Sequence, residues 1–131
     1  MKYLLDTNIC IYYMKGLYDL KEKIKNTGSE NCYISEITLA ELKFGVENSE
    51  RKKKNKEALD LFINGIKIVP VYNSLDFYAI EKARLRKKGN TVDDFDLLIG
   101  ASAVSNNMIL VTNNIKHFKN IENIEIQDWT Q

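Results

Sequence analysis

The stretch that most constrains how this chain can fold is residues 91–104, TVDDFDLLIGASAV. Its second half, residues 97–104, is almost entirely apolar, so a helix formed there has no face for solvent and lies between other elements. Three carboxylates stand at its head, and Asp favours helix N-termini because it accepts hydrogen bonds from unpaired backbone N–H groups. The buried helix therefore carries at least one carboxylate toward the protein interior.

Short apolar runs alternate with helical patterns along the whole chain. Five runs predict β-strands: residues 2–5, 32–34, 67–71, 108–111 and 124–126. Apolar residues at helical spacing predict two helices in each of the first three connections. This alternation is typical of one α/β domain spanning residues 1–131, with a central, mostly parallel sheet of about five strands and helices on both faces.

Polar residues mark where several of these helices begin. Thr7 and Asn8 are expected to cap the first helix, because their side-chain oxygens can accept from its free N–H groups. Ser35 and Ser74 are expected to cap two later helices in the same way.

Composition excludes several classes of protein. Apolar residues make up 44% of the chain and charged residues 28%, which is ordinary for a soluble globule. No segment approaches the roughly 20 apolar residues of a membrane span, and the N-terminus lacks a signal-peptide pattern. Cys10 and Cys32 sit among apolar residues, so we expect no disulfide framework and a reducing, cytoplasmic location. The net charge of +1 does not decide whether nucleic acid binds.

Asp6 and the segment 112–114 directly follow predicted strands. Parallel sheets bind ligands beyond the carboxyl ends of their strands, so both are expected at the binding edge. A carboxylate at the end of a buried strand is costly unless something compensates it. Capping of the next helix would explain Asp6 by itself.

Glu41 lies on the predicted inward face of its helix. It falls four residues after Ile37 and three before Phe44, in an apolar stripe that also includes Ala40. Taken alone, Glu41 fits equally well at the border of that stripe, with its carboxylate in solvent.

Asp96 shares one predicted helical face with Ile99, Gly100 and Ala103, which points it inward. Asp93 and Asp94 stand closer to the start of the same helix, where capping is their expected main role. Helical spacing thus separates Asp96 from its two acidic neighbours.

Asp6, Glu41 and Asp96 together predict a cation site. Like charges brought together raise one another's pKa unless a cation neutralises them. Carboxylate oxygens suit Mg²⁺, with Mn²⁺ as a substitute, better than zinc, and His117 is the only histidine in the chain. Magnesium held by carboxylates activates water and stabilises the leaving oxygen in phosphodiester cleavage. The residues therefore predict a metal-dependent phosphoryl-transfer or nuclease site.

Four motifs in order give the chain a family resemblance. They are LLDTNI at residues 4–9, ITLAELKFGV at 37–46, FDLLIGASA at 95–103 and VTNNIKHF at 111–118, followed by IQDW at 126–129. With these motifs the chain resembles the PIN-domain ribonucleases, and most closely the VapC-type toxins of type II toxin–antitoxin systems. The resemblance covers nearly the whole chain and implies a single PIN domain.

The resemblance also implies roles for individual residues. Asp6 and Asp96 would be the principal magnesium ligands, and Glu41 would complete an acidic triad. Asn8 would orient Asp6 through a hydrogen bond, and Thr112 and Asn114 would support the site.

One departure from the family concerns a fourth acid that many PIN domains carry near the end of the fourth motif. This chain has Asn113 and Asn114 in the turn, and His117 where several VapC proteins place an acid. Asp93 or Asp94 could compensate for the missing charge, although helix capping is their expected main role. The number of metal ions, one or two, therefore stays open.

The resemblance implies a magnesium-dependent endoribonuclease toxin that forms a homodimer and is neutralised by a small VapB-type antitoxin. Two alternatives remain: an RNA-processing nuclease of the same fold that is not a toxin, and a non-catalytic PIN relative that binds RNA or protein. The RNA substrate, its cut site and the identity of the antitoxin are not encoded in any motif.

Two basic runs are candidate phosphate-binding surfaces, at residues 51–56 and 84–88. Both also fit solvated helix faces. The second run ends only a few residues before the acidic helix, so RNA contact is assigned to Arg84, Arg86, Lys87 and Lys88.

Overall fold

A five-stranded parallel sheet runs through the centre of the protein. The structure is a computed structural model that describes all residues, 1–131. The strands are β1 (Tyr3–Leu5), β2 (Cys32–Ser35), β3 (Lys67–Val69), β4 (Ile109–Val111) and β5 (Ile126–Gln127). Their order is β3-β2-β1-β4-β5, and every neighbouring pair is parallel. The predicted α/β class and the five-stranded sheet are confirmed.

Seven α-helices connect the strands. They are α1 (Thr7–Met14), α2 (Leu20–Thr27), α3 (Glu36–Glu47), α4 (Lys52–Asn64), α5 (Leu75–Lys87), α6 (Asp94–Ser105) and α7 (Ile115–Phe118). Two short 3₁₀ turns, Ser29–Asn31 and Tyr72–Ser74, precede β2 and α5. The predicted pairs of helices in the first three connections are confirmed, whereas the short α7 and the 3₁₀ turns were not predicted.

The sheet separates two apolar cores, because successive side chains of a strand point to opposite faces. On β1, Leu5 packs into the core formed with α1 to α4, and Leu4 packs into the core formed with α5 to α7. On β4, Val111 packs into the core with α1 to α4, and Leu110 packs into the core with α5 to α7. Helices therefore cover both faces of the sheet, as expected for parallel strands.

The apolar helix α6 is buried as predicted. Six of the seven residues from Leu97 to Ala103 are buried. Gly100 allows the closest approach, because a Cβ at that position would lie 2.5 Å from the Ile121 side chain and 3.6 Å from the Phe118 ring. The absence of a side chain at Gly100 thus brings α7 and the segment after it against α6.

The order of the strands creates a ligand-binding edge between β1 and β4. From β1 the chain adds β2 and β3 on one side, then crosses to β4 on the other side of β1. Ligands of open α/β sheets bind at such a reversal, beyond the carboxyl ends of the strands. Asp6 directly follows β1 and Thr112 directly follows β4, so both lie at that position.

The residues that cap the helices match the predictions from the sequence only in part. Ser35 caps α3 as predicted, accepting from the Ile37 N–H at 2.9 Å. Helix α1 is capped by Asp6 instead of Thr7 or Asn8, because the carboxylate accepts the Thr7 N–H at 2.8 Å. Ser74 makes no capping hydrogen bond, and its buried hydroxyl has no partner, since a 3₁₀ turn already leads into α5.

The helices of this fold are all too short or too polar to cross a membrane. Cys10 and Cys32 are both buried and free.

Candidate active site

Asp6 is the most deeply buried acid at the carboxyl edge of the sheet, with 4% of its surface exposed. One carboxylate oxygen accepts the Thr7 N–H and the other accepts the Thr112 hydroxyl, each at 2.8 Å. Burial raises the pKa of Asp6, the two hydrogen bonds oppose that rise, and the negative charge of Asp96 adds to it. A cation nearby would therefore stabilise the ionised form of Asp6.

Asp96 enters the same site from the first turn of α6. Ile99, Gly100 and Ala103, which share its predicted helical face, are all buried, so its inward direction is confirmed. Burial, above all, raises the pKa of Asp96, the neighbouring His117 opposes that rise, and the charges of Asp93 and Glu41 add to it. The charge of Asp96 in turn raises the pKa of Asp6. Asp96 is therefore within electrostatic reach of both other predicted acids, Asp6 and Glu41.

Glu41 reaches the site through Thr7. The Thr7 hydroxyl donates to a Glu41 carboxylate oxygen at 2.6 Å, and the buried Thr38 hydroxyl lies 3.1 Å from that of Thr7. Thr7 thus donates its N–H to Asp6 and its hydroxyl to Glu41, and so links two of the acids. Sequence reasoning missed this role, although the position of Thr7 directly after Asp6 was a usable signal.

Two of the three apolar residues that were predicted to face inward beside Glu41 are exposed. Ala40 and Phe44 are exposed, Phe44 by 67%, and only Ile37 packs against a core. The residues of α3 that are buried are Thr38 and Leu42, so the inward face is rotated by about one residue. Glu41 lies beside this face, which explains why it still points toward the site.

Of the asparagines in the motifs, Asn8 does not make the predicted contact, whereas Asn114 supports the site as predicted. Asn8 makes no hydrogen bond to Asp6, whose partners are Thr7 and Thr112. Asn114 supports the site through its backbone, because its N–H donates to the Thr112 hydroxyl at 3.0 Å. Asn113 donates to the Tyr12 hydroxyl at 3.3 Å.

Asp93 and Asp94 have different roles at the start of α6. Asp93 caps the helix, accepting the Phe95 N–H at 3.2 Å as predicted. Asp94 instead accepts from Lys82 and from the Tyr78 hydroxyl, both at 2.8 Å, and so ties α6 to α5.

His117 is the residue that the structure adds to the site. Its Nδ1 lies 3.1 Å from a carboxylate oxygen of Asp96. The two residues are 21 positions apart and meet only because α7 packs on α6.

The donor set fits magnesium. No three Asp, Glu, His or Cys side chains converge on one point closely enough to enclose a metal ion. Mg²⁺ is usually held by one or two carboxylates while it keeps several waters, so it does not need such a cage. Asp6 and Asp96, whose charges oppose each other in a buried setting, provide that kind of site.

The basic run at the end of α5 divides into two kinds of residue. Arg84 donates from Nε and Nη2 to the buried Glu81 at 2.6 and 2.7 Å and also to the Asn120 carbonyl, so the structure assigns it a structural role and not the predicted RNA contact. Arg86, Lys87 and Lys88 are exposed. Arg86 also lines a cleft of about 280 Å³ that reaches Asp93.

A largely apolar groove of about 480 Å³ runs beside the acids, between α1, α3 and α4. Glu41 lies in its wall, together with Lys15 and Lys54. Most of the remaining lining is apolar: Ile11, Met14, Leu42, Val46, Ala58 and Leu59.

Comparison with known proteins identifies the family. A sequence model of the PIN domain matches residues 3–124. The chain belongs to the PIN-domain family. It is 38% identical to Ribonuclease VapC2 of Rickettsia felis over 98% of both chains, and 33% identical to the tRNA(fMet)-specific endonuclease VapC of Salmonella typhimurium over 98% of both.

Solved structures agree with this assignment. A chain in the crystal structure of VapBC2 from Rickettsia felis bound to a promoter DNA fragment superimposes with a TM-score of 0.92, at 36% identity, over 98% of this chain and 99% of that one. The recognition of a VapC-type PIN domain from its four motifs is therefore confirmed.

Proposed function

We propose that this VapC-type protein is a magnesium-dependent endoribonuclease toxin of the cytoplasm, neutralised by a VapB-type antitoxin. The observation that carries the proposal is that three acids from separate elements lie within electrostatic reach of one another at the β1–β4 edge of the sheet. Asp6 follows β1, Glu41 comes from α3 and Asp96 from α6. The names of the relatives, ribonuclease and tRNA(fMet)-specific endonuclease, support the reaction class.

In the proposed site Asp6 and Asp96 hold the ion, which can be Mn²⁺ in place of Mg²⁺. When bound, the ion supplies positive charge to the scissile phosphate and acidifies a water molecule. Burial, above all, raises the pKa of both acids, and the charge of Asp96 adds to the rise at Asp6, so a bound divalent ion would stabilise their ionised forms.

Glu41 is proposed to orient the attacking water and accept its proton. The short hydrogen bond from Thr7 fixes one Glu41 oxygen and leaves the other free. Water attacks phosphorus and gives a proton to Glu41, the bond from phosphorus to the 3′ oxygen breaks, and that oxygen takes a proton from solvent, so the products carry a 3′-hydroxyl and a 5′-phosphate. Exposed Arg86, Lys87 and Lys88 are proposed to contact the RNA backbone.

The apolar groove beside Glu41 is proposed to hold a segment of the antitoxin. A basic side chain at the end of that segment would pair with the acids in place of the metal. The relatives solved as VapBC complexes support an antitoxin as the partner. Exposed apolar residues on and before α5, Tyr72 and Ile80 among them, support a second copy of the chain as a further partner.

The decisive test replaces each ligand by its nearly isosteric amide. Asp6→Asn and Asp96→Asn are each expected to abolish Mg²⁺-dependent cleavage of total cellular RNA while circular dichroism stays unchanged. Asp60→Asn, the same change at an exposed acid of α4, is the control and should cleave like the parent. Parent-like cleavage by both site variants would refute the proposal.

Toxicity needs a separate test. Expression of the parent is expected to arrest growth, and co-expression of the adjacent upstream reading frame is expected to relieve the arrest. RNA cleavage without growth arrest would instead indicate an RNA-processing nuclease.

A further inference from the structure

His117 contacts Asp96 in the proposed metal site, and the mechanism proposed above does not use it. Its Nδ1 lies 3.1 Å from an Asp96 carboxylate oxygen, while 58% of the His117 side chain and 24% of the Asp96 side chain are exposed. The pair is thus reachable from solvent and needs no opening of the fold to bind a small ion.

The distance between the two donor atoms fits the edge of an octahedral ion. Ligand bonds of about 2.1 Å at right angles place neighbouring ligand atoms about 3.0 Å apart. The Nδ1 and carboxylate oxygen already have this separation, so one cation can bind both with little movement of either side chain. Nδ1 is an ordinary ligand atom of neutral imidazole.

The position of His117 is fixed by the residue that follows it. Phe118 is completely buried and contacts the place where Gly100 lacks a side chain. Helix α7 is therefore held against α6, and the imidazole stays beside Asp96. An exposed histidine without such an anchor would spend most of its time away from the carboxylate.

We propose that His117 is a direct metal ligand, so that this chain binds its ion through one nitrogen together with carboxylate oxygens. The inference rests on the metal site proposed above and adds a ligand to it. Nitrogen donors favour transition-metal ions over Mg²⁺, and among these Mn²⁺ also suits carboxylate oxygen. The site therefore selects Mn²⁺ over Mg²⁺ more strongly than carboxylates alone would.

Mn²⁺ itself is the probe for this proposal. Pulsed electron paramagnetic resonance of the full-length protein with Mn²⁺, at about pH 8 where imidazole is neutral, is expected to detect a directly bound nitrogen. Titration calorimetry with Mn²⁺ and with Mg²⁺ gives the selectivity. His117→Glu keeps an oxygen donor at this exposed position and should lose the nitrogen signal.

Residues that merely orient a metal ligand are worth roughly 10–100-fold in affinity, so His117→Glu is expected to lower the preference for Mn²⁺ over Mg²⁺ by at least tenfold. Lys116→Gln, at the exposed neighbouring position of α7, is the control and should keep both the signal and the selectivity.

The outcomes separate this proposal from the proposed function. Bound Mn²⁺ without a nitrogen signal in the parent would overturn the role of His117 and leave the carboxylate site standing. Failure of the parent to bind either ion would overturn both. A nitrogen signal that persists in His117→Glu would also exclude His117, since it is the only histidine.

Discussion

At the scale of single residues, Thr112 carries the clearest prediction. Its hydroxyl donates to the buried Asp6 carboxylate at 2.8 Å and accepts the Asn114 N–H at 3.0 Å. Thr112→Val keeps the shape and removes the hydroxyl. A buried polar group left unpaired costs about 1–3 kcal/mol, so we expect the free energy of unfolding in urea to fall by that amount and RNA cleavage to fall with it.

Thr112→Ser is the matched control for this change. It retains the hydroxyl and loses one buried methyl, which is worth about 1 kcal/mol. Cleavage by the serine variant should therefore stay close to that of the parent. If the valine variant is as stable and as active as the parent, the Thr112 hydroxyl does not support Asp6.

The sequence located the acids of the site but not the contacts between them. Asp6 and Asp96 were predictable because strand ends and helical spacing are local properties of the chain. The bond from Thr7 to Glu41 joins residues 34 positions apart, and the contact of His117 with Asp96 joins residues 21 apart. Such contacts depend on how helices pack, which no local pattern specifies.

At the scale of elements, a buried carboxylate joins α5 to the segment after α7. Glu81, only 2% exposed, accepts two N–H groups of Arg84 at 2.6 and 2.7 Å and the Glu122 N–H at 2.6 Å. Arg84 also donates to the Asn120 carbonyl at 2.9 Å. This cluster fixes the far end of the segment that places His117.

Glu81→Gln is expected to destabilise the protein in a pH-dependent way. The hydrogen bonds from Arg84, above all, lower the pKa of Glu81 in the folded state. Their stabilisation is complete above the ordinary glutamate pKa of about 4.3 and is lost as pH falls through the lower folded value. The variant should lose about 1.5–3 kcal/mol at neutral pH, and its difference from the parent should shrink toward about pH 3.

Urea unfolding at the two pH values measures this difference. Glu122→Gln is the control, because that carboxylate is 61% exposed and lies 3.5 Å from Arg84, where an ion pair contributes little. A difference between Glu81→Gln and the parent that is equal at both pH values would contradict the assigned role of the Glu81 charge.

The order and type of the elements were predictable, and the helix faces and caps less so. Alternating apolar runs sufficed for five strands and six long helices. The inward face of α3 was misassigned because Phe44, although apolar, is left exposed by the packing of that helix, whose buried residues include Thr38. Ser74 resembled a cap in sequence, but a preceding 3₁₀ turn changed the backbone geometry at that position.

At the scale of the whole molecule, the fold buries an acid whose negative charge lowers the stability of the folded state. Burial, chiefly, and the charge of Asp96 raise the pKa of Asp6. A raised folded pKa means that ionisation of Asp6 at neutral pH favours the unfolded chain. The fold itself does not need the negative charge of Asp6, because an amide at this position could still accept the Thr7 N–H and bond to Thr112. The loss of stability is therefore a consequence of the site.

This conflict predicts opposite effects of one substitution on stability and on activity. In EDTA, Asp6→Asn is expected to melt at a higher temperature than the parent, because it removes the buried charge and keeps the helix cap. Magnesium should raise the melting temperature of the parent, since an ion at about one hundred times its dissociation constant adds about 2.7 kcal/mol to the folded state. The variant should gain little from magnesium. Calorimetry with and without Mg²⁺ measures both effects, and a variant that melts below the parent in EDTA would show that Asp6 stabilises the fold by itself.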